Sequence, residues 1–394
     1  MPTIDIHCHP GLKTWIFNSD FDDDHPSFST DFFPTDMRVD YPKMVQGGVD
    51  VILSSVYIPE SPLISEVIKS SPLIHILSRF INVKEKAEFN STPERPFEQT
   101  LEFINLFEKK IKRAADSGAN IAVARSYDEL ERFMRDGKRA VIHSIEGAHS
   151  LGRKVDGREP DYISHLNVLF EKRVCLLTLA HFYKNDIVAP VIGMPPSVLH
   201  ALDLSDYRDP DKGLSDAGKK VVEHMLKIGM VVDLAHCTKK ARQEVFAMNN
   251  SLGEKKRPLV FSHVGAGSFG SNGMNPDDNE IMRIKESGGV IGLIFYNFYL
   301  SGKEEDNPFP FSKQEPGIKY IIDAVKHIRE VTSGFDNIAI GSDLDGFTDP
   351  SDDLFNTSCF QFLRERLTGA FGEEAAGKIL GNNFMRVLKN GWGN

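Results

Sequence analysis

The chain has 394 residues, 41% hydrophobic and 26% charged, an ordinary balance for a globular protein with a large core. Its net charge of -10 and pI near 5.7 argue against a nucleic-acid partner, since a phosphate backbone needs a net basic face. The four cysteines (Cys8, Cys175, Cys237, Cys359) form no CxxC pair, Met1-Pro2-Thr3 opens no basic and apolar leader, and no stretch reaches roughly 18 uninterrupted apolar residues, so a cytoplasmic protein with no membrane span is expected.

Short apolar runs alternate with amphipathic stretches. Strands are expected at Thr3–His9, Val51–Ile58, Ile121–Arg125, Ala140–Ile145, Val174–Ala180, Met230–Ala235, Leu259–Ser262, Val290–Tyr296 and Ile338–Gly341. Helices are expected at Phe97–Ala115, Tyr127–Asp136, Ser215–Ile228, Lys239–Met248, Asn279–Glu286, Gly317–Val331 and Glu373–Lys389. Ser215 suits an N-cap and Gly229 a stop. This alternation implies a parallel sheet with right-handed crossovers. The expected fold is α/β, a (β/α)8 TIM-type barrel of the metal-dependent hydrolase type, with residues 1–394 as one domain. Nine strand candidates compete for eight barrel positions, and Ile121–Arg125 is read as the peripheral one. No GxGxxG follows the first strand, which disfavours an open dinucleotide-binding sheet. Lys13–Lys43, Tyr183–Gly213 and Ser301–Pro316 read as long loops over the barrel mouth.

Metal-competent side chains stand at one strand end after another. The first run reads Ile4-Asp5-Ile6-His7-Cys8-His9, and residues two apart on a strand share a face, so His7 and His9 point the same way. Later runs end in Glu146-Gly147, Ala180-His181, Ala235-His236, Ser262-His263 and Ser342-Asp343-Leu344-Asp345-Gly346. A parallel barrel delivers every strand's C-terminal end to one mouth, so these residues converge. Imidazole and carboxylate suit Zn²⁺ and its neighbours, and a carboxylate flanked by His pairs can hold two ions. Taken singly, each His is as well explained as a hydrogen-bonded structural residue, and Asp343 and Asp345 as turn formers. Asp5 and Asp233 alternate with the candidate ligands and read as supports; His149 reads as a partner orienting Glu146.

These residues carry a family resemblance. Gln46-Gly47-Gly48-Val49 with Ser55-Val56-Tyr57, Ile145-Glu146-Gly147-Ala148-His149, Leu177-Thr178-Leu179-Ala180-His181, Gly213-Leu214-Ser215 leading to Val232-Asp233-Leu234-Ala235-His236, Phe261-Ser262-His263, Phe295-Tyr296-Asn297 and Gly341–Gly346 follow one order. In that order the chain resembles the membrane (renal) dipeptidase family, zinc-dependent dipeptidases on a (β/α)8 barrel. The resemblance implies two divalent metal ions, most simply zinc. His7 and His9 would hold the first, Glu146 would bridge, and His236 and His263 would hold the second. It implies His181 on the substrate and the developing oxyanion, Tyr296 on the substrate, Asp343 as proton carrier, and a metal-bridging hydroxide attacking the amide of a dipeptide or similar small molecule. A homodimer is a further implication.

The chain departs from the family pattern twice. The family has His-x-Asp on the first strand, where this chain has His9, a neutral ligand for an anionic one. The family also places an Arg downstream of the second metal's ligands to clamp the substrate carboxylate, and Ser271-Asn272-Gly273-Met274-Asn275-Pro276-Asp277-Asp278 contains none. Two alternatives therefore stand beside the dipeptidase. One is an amidohydrolase acting on a lactone, ester or N-acyl amino acid. The other is a metal-binding barrel without peptidase activity.

Overall fold

The computed structural model describes residues 1–27, 36–60, 92–191, 193, 211–267, 273–301, 317–346, 348 and 350–393. Strands lie at Ile4–Cys8 (β1), Val51–Val56 (β2), Ile121–Val123 (β3), Arg139–Glu146 (β4), Leu176–Thr178 (β5), Val231–Asp233 (β6), Leu259–Val264 (β7), Val290–Leu293 (β8) and Ile338–Ile340 (β9). All pairings are parallel, in the order β1-β2-β4-β5-β6-β7-β8-β9, a nearly closed TIM-type barrel of eight strands. The ninth, β3, is the peripheral one, as expected. It pairs only with the first half of β4 (Arg139–Val141), while β5 takes the second half (Ser144–Glu146) on that edge.

No ladder joins β1 to β9. The seam closes through a side chain and the turn beyond β9. Ser342 N donates to Asp5 Oδ1 (2.9 Å), Asp343 N to the His7 carbonyl (2.9 Å), and His9 N to the Leu344 carbonyl (2.9 Å). This satisfies backbone groups that an open edge would leave bare.

Side chains alternate between two apolar layers. Ile4, Ile6, Val51, Leu53, Ala140 and Ile142 belong to an inner cluster, which Phe384, Val387 and Trp392 of the C-terminal segment join. Ile52, Val141, Leu177, Val232 and Ile291 face the surrounding helices in an outer cluster with Leu12, Phe103, Val221 and Ile281. Two strands break this alternation. In β1, Asp5 pairs with Ile52 but Cys8 with Ser54; in β7, Phe261 pairs with Ile291 but Val264 with Leu293. Each strand therefore carries one extra residue, a β-bulge. Cys8 and Val264 then face outward, so the residues beside them, His7, His9 and His263, turn inward.

The helix expectations hold in outline. Asp216–Ile228 is capped by Ser215, whose Oγ accepts from Gly218 N (2.9 Å), and ends at Gly229 with φ +78°. Several details differ. Lys13–Lys43 is not simply a loop: Pro10–Phe17 is a helix that buries Leu12 and Trp15, and Tyr41–Gln46 is another, capped by Asp40. Proline at the first helical position lacks only an N–H that would be unpaired anyway, so Pro10-Gly11 starts a helix where it resembles a turn. Glu373–Lys389 is not one α-helix; a π turn at Lys378–Asn382 separates Glu373–Gly377 from Asn383–Gly391. Helices at Tyr162–Glu171 and Phe360–Phe371 join the set. Most of Tyr183–Gly213 and nearly all of Ser301–Pro316 lie outside the described residues. No helix among the described residues is long and apolar enough to cross a membrane.

Candidate metal centre at the barrel mouth

The expected cluster assembles at the C-terminal ends of the strands. His7 Nε2 and His9 Nε2 stand 3.1 Å apart and lie 3.5 and 3.4 Å from Glu146 Oε1 and Oε2. His236 Nε2 and His263 Nε2 stand 2.8 Å apart, at 3.4 and 3.3 Å from Glu146 Oε1. One buried carboxylate thus sits between two pairs of buried imidazoles. His7, His9 and Glu146 form one group with metal-ligand spacing, and Glu146, His236 and His263 another.

This donor set fits divalent ions. Facing Nε2 atoms at hydrogen-bond distance repel through their lone pairs unless a proton or a cation lies between them, and four imidazoles around one carboxylate match zinc-type chemistry. A third grouping, His7, Asp233 and His263, fits less well. Asp233 already accepts from Ser262 N (2.9 Å), Ser262 Oγ (2.6 Å), Ala235 N (3.1 Å) and Thr178 Oγ1 (2.5 Å), which occupies its lone pairs.

The supports are arranged alike on both sides. Asp5 accepts from Ser342 N and Oγ and from His7 N, just as Asp233 accepts from Ser262 N and Oγ and from Ala235 N. Ser342 precedes Asp343, and Ser262 precedes His263. Each aspartate therefore fixes the backbone from which a side chain of the candidate site projects. Ser262 Oγ also meets His263 Nδ1 at 2.7 Å, and Ser55 Oγ meets His7 Nδ1 at 3.1 Å. Such contacts orient imidazole ligands.

Burial would raise the Glu146 carboxyl, but His181 and His7 hold it well below the usual carboxylate range. Burial lowers His236, and burial with His7 beside it pushes His263 well down, so both keep free lone pairs. His9 shifts upward: burial opposes, but Asp343 (Oδ1 3.2 Å from His9 Nε2) and Glu146 outweigh it. His236 and Asp343 adopt left-handed backbone, φ +61° and +59°, uncommon for residues that carry a Cβ. A Cβ at Gly346 would collide with Asp343 Oδ1, so a side chain there would displace that carboxylate.

The profile of membrane dipeptidases, peptidase family M19, matches residues 1–391. The chain belongs to the membrane dipeptidase family. Dipeptidase tcpJ of Claviceps purpurea (strain 20.1) is 26% identical over 354 residues, covering 89% of this chain and 69% of that protein. Dipeptidase verJ of Clonostachys rogersoniana is 24% identical over 377 residues, covering 93% and 81%. Two solved structures share the fold at 19% identity, each aligned over 100% of this chain and 99% of the other. The dipeptidase AC, a metallopeptidase of family M19, gives a TM-score of 0.73. A metallopeptidase from Rhodobacter sphaeroides, liganded with a phosphinate mimic of the dipeptide L-Ala-D-Ala, gives 0.70.

As a membrane dipeptidase family member the protein is a hydrolase of the metallopeptidase class, and its remaining residues can be placed around the cluster. His181 lies beside it, Nε2 3.8 Å from Glu146 Oε2. Burial lowers its pKa, but Glu60 and Glu146 raise it to a net upward shift. Tyr296 is buried edge-on against Phe298 and Tyr299, in an aromatic group rather than among the imidazoles. Sequence reading quoted Tyr57 in the resemblance without giving it a role and missed Glu60; both lie just beyond β2. Tyr57 donates to Glu60, and Glu60 Oε1 lies 3.1 Å from His181 Nδ1. His149 does not reach Glu146 in the expected way: its Nε2 donates to the Ile58 carbonyl (2.9 Å), pinning this segment.

Proposed function

We propose that the protein is a dipeptidase that cleaves the amide bond of dipeptides or closely related small amides at two divalent ions, with zinc the best match. His7, His9 and Glu146 would hold one ion, and Glu146, His236 and His263 the other. One observation carries this proposal: a single buried carboxylate lies within 3.5 Å of the Nε2 atoms of both imidazole pairs. Such a metal pair supplies an activated water and a polarised carbonyl.

The chain's own groups supply the rest. Protonated His181 has N–H on both nitrogens, Nδ1 toward Glu60 and Nε2 toward the cluster, so it can donate to the carbonyl oxygen as negative charge develops there. Asp343 reaches the His9 side of the cluster and has the position to take the proton of the attacking water and return it to the leaving amine. Tyr296, with Phe298 and Tyr299, gives an apolar wall for a substrate side chain. Relatives named dipeptidases, and a fold neighbour holding a dipeptide mimic, support the substrate class. His9, in place of the family's aspartate, makes the first ion's ligand set one charge less negative.

The test is metal analysis with a substrate panel of dipeptides, N-acyl amino acids and lactones. Two tightly bound ions per chain and turnover of dipeptides are expected. A metal-loaded protein that cleaves none of these, and in which Glu146→Gln changes nothing, would sink the proposal.

A further inference from the structure

The mouth contains a second buried carboxylate that the metal cluster does not use. Glu60 follows β2, beyond Tyr57-Ile58-Pro59, and is nearly inaccessible to solvent. A carboxylate is costly to bury unless its oxygens are engaged. Here both are. The Tyr57 hydroxyl donates to Oε2, and His181 Nδ1 lies 3.1 Å from Oε1 and 3.3 Å from Oε2. His149, 3.9 Å from Oε1 through Nδ1, ties the same segment down through the Ile58 carbonyl. Burial would raise the Glu60 carboxyl, but His181 and His149 bring it down to about 2, so it is an acceptor throughout the working range.

The His181 ring is equally constrained. Tyr57 and Phe182 lie against it, with ring centroids at 4.3 and 4.1 Å. Its Nδ1 is taken by Glu60, and its remaining nitrogen, Nε2, faces Glu146 at 3.8 Å. An ionised carboxylate accepts but cannot donate, so it selects the ring state with a proton on Nδ1 and fixes the ring plane.

We infer that Glu60 is a positioning residue for catalysis: with Tyr57 it holds His181 by Nδ1 and aims Nε2 at the reacting carbonyl. This rests on the reading of His181 as the residue that meets the developing oxyanion. Among the described residues Glu60 meets Tyr57, His181 and His149, none of them a candidate metal ligand.

The test combines kinetics with a spectroscopic readout. Glu60→Leu removes the acceptor, and kcat on a dipeptide is expected to fall roughly 10–100-fold with KM and metal content little changed. Glu60→Gln keeps an acceptor oxygen, because the Tyr57 hydroxyl can turn to accept from the amide, so it should recover most of that loss. In Glu60→Leu/His181→Ala, kcat should be no lower than in His181→Ala alone, since the two residues act as one unit. Imidazole ¹H–¹⁵N correlation of the wild-type, metal-loaded protein should find a proton on His181 Nδ1, and this readout needs no variant to fold. A bare Nδ1 overturns the inference. So does a folded, metal-replete Glu60→Leu with kcat within about threefold of wild type while His181→Ala loses activity. If His181→Ala keeps full activity, the underlying role of His181 fails first.

Discussion

His236 and His263 present their Nε2 atoms to each other across 2.8 Å, both against the same oxygen of Glu146. Two neutral imidazoles cannot both direct lone pairs into that gap at low energy. A cation between them would relieve the conflict, which would couple metal binding to folding. Chelation should therefore lower the melting temperature and Zn²⁺ should restore it. With free metal at about 100 times its Kd the gain is roughly 2.7 kcal/mol. Differential scanning calorimetry with and without chelator checks this; identical transitions would mean that the imidazole pairs are purely structural.

Glu146→Gln should act on both ions at once. The amide preserves shape but not charge, and the same carboxylate serves both imidazole pairs. Metal analysis should show both ions weakened together, and kcat should fall at least about 100-fold. Loss of one ion with full retention of the other would contradict a shared ligand.

His9→Asp should tighten the first ion and destabilise the metal-free protein. The new carboxylate would join Glu146 and Asp343, which lie 3.4 and 3.2 Å from the His9 ring. Like charges so close repel unless a cation separates them. The gap in melting temperature between loaded and metal-free forms should widen relative to wild type, and a narrower gap would refute the electrostatic account.

Asp233→Asn should weaken the second ion without removing any ligand. Asp233 accepts from Ser262 N and Oγ, Ala235 N and Thr178 Oγ1, and an amide nitrogen cannot accept from any of them. The cost to stability should be about 1–3 kcal/mol, and to affinity for the second ion about 10–100-fold. Denaturant titration and metal competition measure the two effects separately.

Glu60 gives a pH dependence of defined sign. Its carboxyl sits at about 2 when folded, against 4.5 for an ordinary glutamate. A depressed folded pKa contributes stability that is complete above the unfolded value and is lost as pH falls from about 4.5 toward 2. The stability difference between wild type and Glu60→Gln should therefore be largest near neutrality and shrink through that window. A difference that stays constant down to the acid end would mean that the charge of Glu60 contributes nothing.

The candidate cluster was legible because each of its residues follows an apolar run at one strand end, and a parallel barrel brings those ends together. The peripheral β3 was legible as well, in a run too many for eight positions. Glu60 was not. It lies past Pro59 with no periodic pattern around it, and its partner His181 is 121 residues away. The helix at Pro10–Phe17 was hidden by Pro10-Gly11, which has turn composition and helix-start geometry. That His7 and His9 share a face was read from their spacing, but the extra residue in β1 that turns that face inward leaves no mark in composition.

That extra residue, and its counterpart in β7, separates two kinds of genetic change. Exchanging one side chain for another at positions 7, 9 or 263 alters a candidate ligand and leaves the chain's phase intact. Inserting or deleting a single residue between Asp5 and Cys8, or between Phe261 and Val264, would exchange the two faces of the strand beyond that point. The imidazoles would then point into the helical layer and apolar side chains into the mouth. These two short segments should therefore hold their length fixed among homologues.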